Sequence, residues 1–227
     1  MPQPLRRTFI VLAVGLAATS ARAQQTTFTL DPQKTTVSFT LDATLHTVHG
    51  NFRLKSGAIQ FDPASGAASG TIVVDATSGE TGNQKRDRNM HRDVLKSASY
   101  PEITFTPTRV NGKFLQQGES EVQVEGILKL LGADHPITLP FDVQVTGSAL
   151  RATTHFTIPY VAWGLKNPSS AFLHVADKVE VSIVAAGELS PRVAKYSGLR
   201  VQASGKPAAR RNLVRSLLLS TYSASCW

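Results

Sequence analysis

"RDRNMHRDVLKSASYPEITF", Arg86 to Phe105, decides how the rest of the chain is read. Between Thr35 and Val184 it is the stretch that lacks strand alternation. Met90, Val94 and Ala98 lie four apart with Leu95 on the adjoining stripe, while Lys85, Arg88, Arg92 and Lys96 cover much of the remainder. That spacing predicts a helix of three to four turns over 84–98 with one narrow apolar stripe. Asn83 is placed to cap it, and Pro101 prevents its continuation.

Working outward in both directions, the pattern is all β. Val37, Phe39 and Leu41 alternate with polar residues. So do Phe52 and Leu54, Ile103 and Phe105, Val122 and Val124, Leu139 to Val145, Phe156 and Ile158, and Val179 to Ile183. Period-two alternation broken by turn residues is the pattern of an antiparallel sheet with one buried face. Breaks are expected at Ser56-Gly57, Asp62 to Gly70, Asn111-Gly112, Gln117-Gly118, Gly132 to Pro136 and Gly147-Ser148, with Asn111-Gly112 a tight-hairpin signal. Eight or nine strands joined mostly by hairpins favour a closed barrel over a sandwich, the more so because no Cys-Trp-Cys pattern is present. In such a barrel a short amphipathic helix has a physical use: laid across one open end, it covers apolar interior with Met90, Val94 and Leu95. An eight-stranded barrel either fills its interior or holds one ligand, and alternation leaves that choice open.

Both ends stand apart from this body. Residues 1–23 combine Arg6 and Arg7, an apolar stretch from Thr8 to Ser20, and Ala21-Arg22-Ala23. This is the layout of a signal peptide cleaved after Ala23, and it predicts a periplasmic or secreted protein. Residues 190–227 contain seven basic residues and no acidic one, with frequent Ser, Ala and Gly, and are expected to form a disordered basic tail. The chain carries +8 overall, but residues 24–189 hold 14 basic and 16 acidic residues, net −2. The basic character therefore belongs to the ends, and a nucleic-acid partner is not expected. Weak contact of the tail with an anionic membrane is the alternative use of its charge. The single cysteine, Cys226, excludes an intramolecular disulfide.

Four segments together resemble the YceI-like family of exported bacterial proteins: "HTVHGNFRLKSGAIQFD", "TSGETGNQKRDRNMHRDVLKSASYPEITF", "GILKLLGADHPITLPFDV" and "DKVEVSIVAAGEL". The most specific piece is the Arg86-Asp87 pair followed by His91, Leu95 and Tyr100 to Phe105. The resemblance implies an extended lipocalin-like antiparallel barrel that holds a long apolar lipid of polyisoprenoid or isoprenoid-quinone type. On that implication Phe39, Leu41, Phe52, Leu54, Phe105, Phe141 and Phe156 are expected to line the cavity, with Met90, His91, Val94 and Leu95 on a lid helix. It leaves a homodimer open.

No polar motif calls for catalysis. His46 and His49 have the spacing of a metal pair, but residues three apart on a strand point to opposite faces and no third ligand lies near them. No metal or cofactor is expected. Serines lack a nucleophile-elbow context. Asp87 and His91 form an i,i+4 pair whose ordinary role is surface support of a helix. The expectation is thus a carrier without catalysis. The alternatives are an enzyme using Asp87 and His91, or His155, as acid and base in the same cavity, and a filled barrel serving as an interaction or stress module.

Overall fold

The computed structural model describes residues 25–44 and 46–191. The expected signal peptide, the basic tail and Cys226 lie outside these residues. The described residues form nine strands: β1 (Thr26–Leu30), β2 (Thr36–Leu41), β3 (Val48–Phe61), β4 (Ala68–Glu80), β5 (Glu102–Gly112), β6 (Gly118–Leu130), β7 (Ala133–Thr146), β8 (Ala149–Ile158) and β9 (Val179–Pro191). Neighbours in sequence pair antiparallel from β2 to β9, and β2 pairs back onto β9, so the sheet closes into an eight-stranded barrel.

The ninth strand does not widen the barrel. β1 and β2 occupy one strand position between β3 and β9: β1 pairs with Ala58–Phe61 and β2 with Val48–Phe52. The turn between them is fastened by Asp31, whose carboxylate accepts from the Gln33 N–H at 2.9 Å. Thr35 and Ala186 also exchange hydrogen bonds, at 3.3 and 3.2 Å. The alternation expected from Val37 onward is present, while β1 was hidden because Thr26, Thr27 and Thr29 make it read as polar.

Several expected breaks lie inside strands. β3 runs through Ser56-Gly57 and absorbs the irregularity as two bulges, between Asn51 and Arg53 and between Leu54 and Ser56. Asn111-Gly112 is not a tight hairpin; it ends β5 still paired, Gly112 opposite Val122, and the connection is 113–117. The turn expected over Gly132 to Pro136 is only Leu131-Gly132, both at positive φ (52° and 79°), the geometry of a two-residue hairpin whose twist matches the strands. The expected body boundary at 189 falls within β9, whose last residues, Ser190 and Pro191, pair with Thr27 and Thr26.

The lower half of the barrel, where β1, the 62–67, 113–117 and 147–148 connections and the end of β9 meet, is packed solid. Phe28, Phe61, Val122, Val124, Val143, Val145, Leu150 and Ala152 are buried there, and Phe61 meets Phe114 edge-to-face at 4.9 Å. Three glycines shape the wall. A Cβ on Gly50 would strike the Phe39 ring, one on Gly79 the Phe52 ring and the Met90 methyl, and one on Gly126 the Phe105 ring. Gly79 is therefore not the turn residue its surroundings in sequence imply. It is a strand residue against which the Phe52 ring and the Met90 methyl pack closely.

Candidate functional site: a blind apolar cavity beneath a helical cover

The same alternation that packs the lower barrel leaves the upper barrel hollow. Val143 and Val145 on β7 are core, whereas Phe141 and Leu139, two and four residues from Val143 toward the other end, border a cavity of about 540 Å³. On β6 the change falls between Val124 and Leu128, and on β8 between Ala152 and Phe156. The cavity is thus closed at its base by core side chains and opens at the end where β4 connects to β5 and β8 to β9. Its volume is that of an ordinary small-molecule site. Phe39, Leu41, Phe52, Leu54, Phe105, Phe141 and Phe156, the seven residues expected on the wall, all line it.

The cover forms as a helix, but shorter than expected. Asn83 accepts from the Lys85 and Arg86 N–H groups at 3.1 Å and caps α1 (Gln84–Asn89). The chain then continues as a π-helical turn over Met90–Val94 and stops at Leu95, with Lys96 at φ 47°. Ala98 is outside the helix and exposed. The widened turn, closed by Leu95 N–H to Met90 C=O at 2.8 Å, brings Leu95 under Met90. Met90, Val94 and Leu95 border the cavity together.

His91 does not join them. Its Nε2 lies 2.8 Å from the Gly79 carbonyl and its Nδ1 3.0 Å from Ser97 Oγ, so it braces the cover against β4. Asp87 instead accepts from the backbone and side chain of Thr81, and Arg86 donates to Thr81 Oγ1 at 2.7 Å and to the Thr81 carbonyl at 2.8 Å. The expected i,i+4 pairing of Asp87 with His91 is therefore replaced by two separate networks, which also parts them as an acid–base couple. His155 is on the outer face of β8, its Nδ1 2.8 Å from Ser182 Oγ, while its neighbour Phe156 points inward. Replacing His91 with alanine should cost about 1–3 kcal/mol, because the Gly79 carbonyl loses its partner; a thermal melt checks this, and an unchanged melt would rule out the bracing role.

Sequence alone did not identify the second half of the rim. The 159–178 connection lies at the same end as α1, reached from the diametrically opposite strands. Ala43 bridges to Val175, and the Thr44 N–H donates to the His174 carbonyl at 2.9 Å. Tyr160, Leu165, Pro168, Leu173 and Val175 border the cavity. Trp163 stacks on His135 at 4.0 Å, securing the connection to β7. The Tyr160 hydroxyl donates to the Ala176 carbonyl at 2.8 Å. Burial first, and the nearby Asp177 charge second, push its pKa up to about 12. A raised folded-state value means the stability it contributes is intact below pH 10 and is lost as pH rises from about 10 toward 12. An ultraviolet pH titration should show one tyrosine ionising late together with alkaline unfolding. A Tyr160→Phe variant lacking neither feature would contradict this assignment.

His46 borders the mouth, 3.5 Å from Arg86 Nη1, while His49 bonds Thr40 Oγ1 at 3.2 Å, so the two rings serve different neighbours. Among the described residues no three His, Cys, Asp or Glu side chains gather as a metal site. The cavity-lining residues include no carboxylate.

The comparisons with known proteins agree with this architecture. The YceI-like domain model matches residues 28–186, and the chain belongs to the YceI-like family. Protein YceI of Escherichia coli O157:H7 is 32% identical over 94 residues, 40% of this chain and 47% of that protein, so the match spans about half of the relative's length. A UPF0312 protein of Vibrio cholerae is 28% identical over 137 residues, 57% of this chain and 70% of its own. Among solved structures, Burkholderia cenocepacia BcnA superposes with a TM-score of 0.58 at 20% identity, over 70% of this chain and 99% of that one. A polyisoprenoid binding domain from Saccharophagus degradans gives 0.57 at 19% identity, over 71% and 97%. At these identities the structural likeness concerns the fold.

Proposed function

We propose that the protein is an exported, non-catalytic carrier or sequestering protein for a long apolar lipid of polyisoprenoid or isoprenoid-quinone type. The observation that carries this is the blind cavity of about 540 Å³ walled almost wholly by aliphatic and phenyl side chains in the half of the barrel left unpacked. An open apolar volume of that size forgoes packing that the other half of the same barrel possesses. A long hydrocarbon chain would restore those contacts, each buried methylene contributing about 0.8 kcal/mol. The name of the Saccharophagus degradans neighbour supports the isoprenoid class, and the layout of residues 1–23 supports export.

Affinity should then depend on chain length. In a competition titration against a fluorescent fatty-acid probe, polyprenyl alcohols of increasing length should bind progressively tighter until the cavity is full, then level off. Competition that is indifferent to length would defeat the proposal. The separate engagement of Asp87 and His91 and the outward position of His155 favour binding over acid–base chemistry in the cavity.

A further inference from the structure

We propose that the mouth end of the barrel is a docking surface for an anionic lipid bilayer, with Phe172 as its inserting residue; this rests on the carrier function above. Phe172 is 94% exposed. It sits in the 159–178 connection between Pro168 and Leu173, both of which border the cavity opening. Among the described residues two other large hydrophobic side chains are exposed, both far less, Tyr100 at 39% and Leu115 at 36%. Tyr100 lies at the same end, beside the β6–β7 turn at Gly132, and Leu115 lies at the closed end. An aromatic ring held in water at the lip of a lipid cavity loses free energy by entering the interfacial region of a membrane.

Charge follows the same polarity. The connections at the mouth end (42–47, 81–101, 131–132 and 159–178) carry seven Lys and Arg against four Asp, whereas those at the closed end (62–67, 113–117 and 147–148) carry one of each sign. The four mouth carboxylates are engaged locally: Asp87 by Thr81, Asp93 by Arg92, Asp177 by Asn167 and Asp42 by Thr47. Of the carboxylates on the adjoining strand ends, Glu102 and Asp134 are paired with Lys55 and Lys129, Glu180 lies 3.7 Å from His155 Nε2, and Glu80 is exposed. Lys85, Arg88, Lys96 and Lys178 are exposed and make no ion pair among the described residues, leaving their charge available to lipid headgroups. Docked this way, the opening faces the bilayer, and a lipid chain passes between membrane and cavity without crossing water.

The test is co-sedimentation of the full chain with phosphatidylcholine vesicles with and without phosphatidylglycerol. Phe172→Asp should weaken binding to the anionic vesicles by about tenfold or more, Lys85→Glu combined with Arg88→Glu should do likewise, and Leu115→Asp at the closed end should have little effect. A Phe172→Trp variant should add fluorescence that brominated lipids quench beyond the parent's. Equal binding by Phe172→Asp and the parent would overturn the proposal, as would binding lost only on neutralising residues 192–215. Because Phe172 lies outside the barrel wall, extracted lipid content is expected to persist in Phe172→Asp. Loss of vesicle binding with lipid retained separates docking from carrying, while a parent that docks but never holds lipid would refute the carrier function alone.

Discussion

Leu41→Trp is expected to abolish lipid uptake while leaving the protein folded. Leu41 borders the cavity opposite Val48 on β3, near the mouth. The added indole volume has open space to enter, so the overpacking cost of about 1–3 kcal/mol seen in filled cores should not appear. The same enlargement at Val143, in the packed half, should incur that cost. Thermal melts of Leu41→Trp and Val143→Trp, alongside lipid extraction from each, make the comparison. If both variants are equally destabilised, the upper barrel is as full as the lower, and the filled-barrel alternative takes over.

The largest loss of stability is expected from Gly187→Val. Gly187 lies on β9 where that strand is flanked by Leu30 of β1 and Leu150 of β8. A Cβ there would meet the Thr29 carbonyl oxygen and come within 2.9 Å of Leu30 Cα. These are backbone atoms that cannot rotate away, so β1 must separate from β9. The cost should be about 3 kcal/mol or more in chemical denaturation. Gly79→Ala is the informative contrast, because the nearest atoms a Cβ would meet there all belong to side chains, the Met90 methyl and the Phe52 ring. Those side chains can swing into the cavity, so the variant should lose less stability but bind lipid more weakly. A Gly187→Val variant as stable as the parent would mean that the β1–β9 pairing contributes little to the barrel.

Much of this was legible in the sequence because its two periods are unambiguous. Alternation located β2, β3 and β5 to β9, and it placed Phe39, Leu41, Phe52 and Phe105 on the face that the closed barrel turns inward. The i,i+4 stripe with Asn83 before it located the cover. Alternation has no term for depth along the barrel, however. Phe141 and Val143 obey one period, yet one borders a cavity and the other fills a core, and the difference depends on what the facing strands contribute at that level. The 159–178 connection was equally hidden. Tyr160 and Leu165 follow no period, and their connection is tied down at Val175 and His174 by Ala43 and Thr44, more than a hundred positions earlier. Helix length was overestimated for a local reason, since the π turn at Met90–Val94 consumes a residue and delivers Leu95 to the cavity before the fourth turn forms. Glycine misled in the opposite sense. Gly57 and Gly79 read as turns because the side chains that justify a strand glycine, Leu30 and Ile72 at Gly57 and Phe52 and Met90 at Gly79, come from elsewhere in the chain.

Native mass spectrometry of the intact chain, before and after extraction with organic solvent, tests the central claim most directly. The protein should be taken from a host that makes isoprenoid lipids, or incubated with them. The expected result is a bound species that survives desolvation, leaves into the organic phase, and is missing from Leu41→Trp. A parent chain that appears only at its bare mass after incubation with polyprenyl lipid would contradict the account.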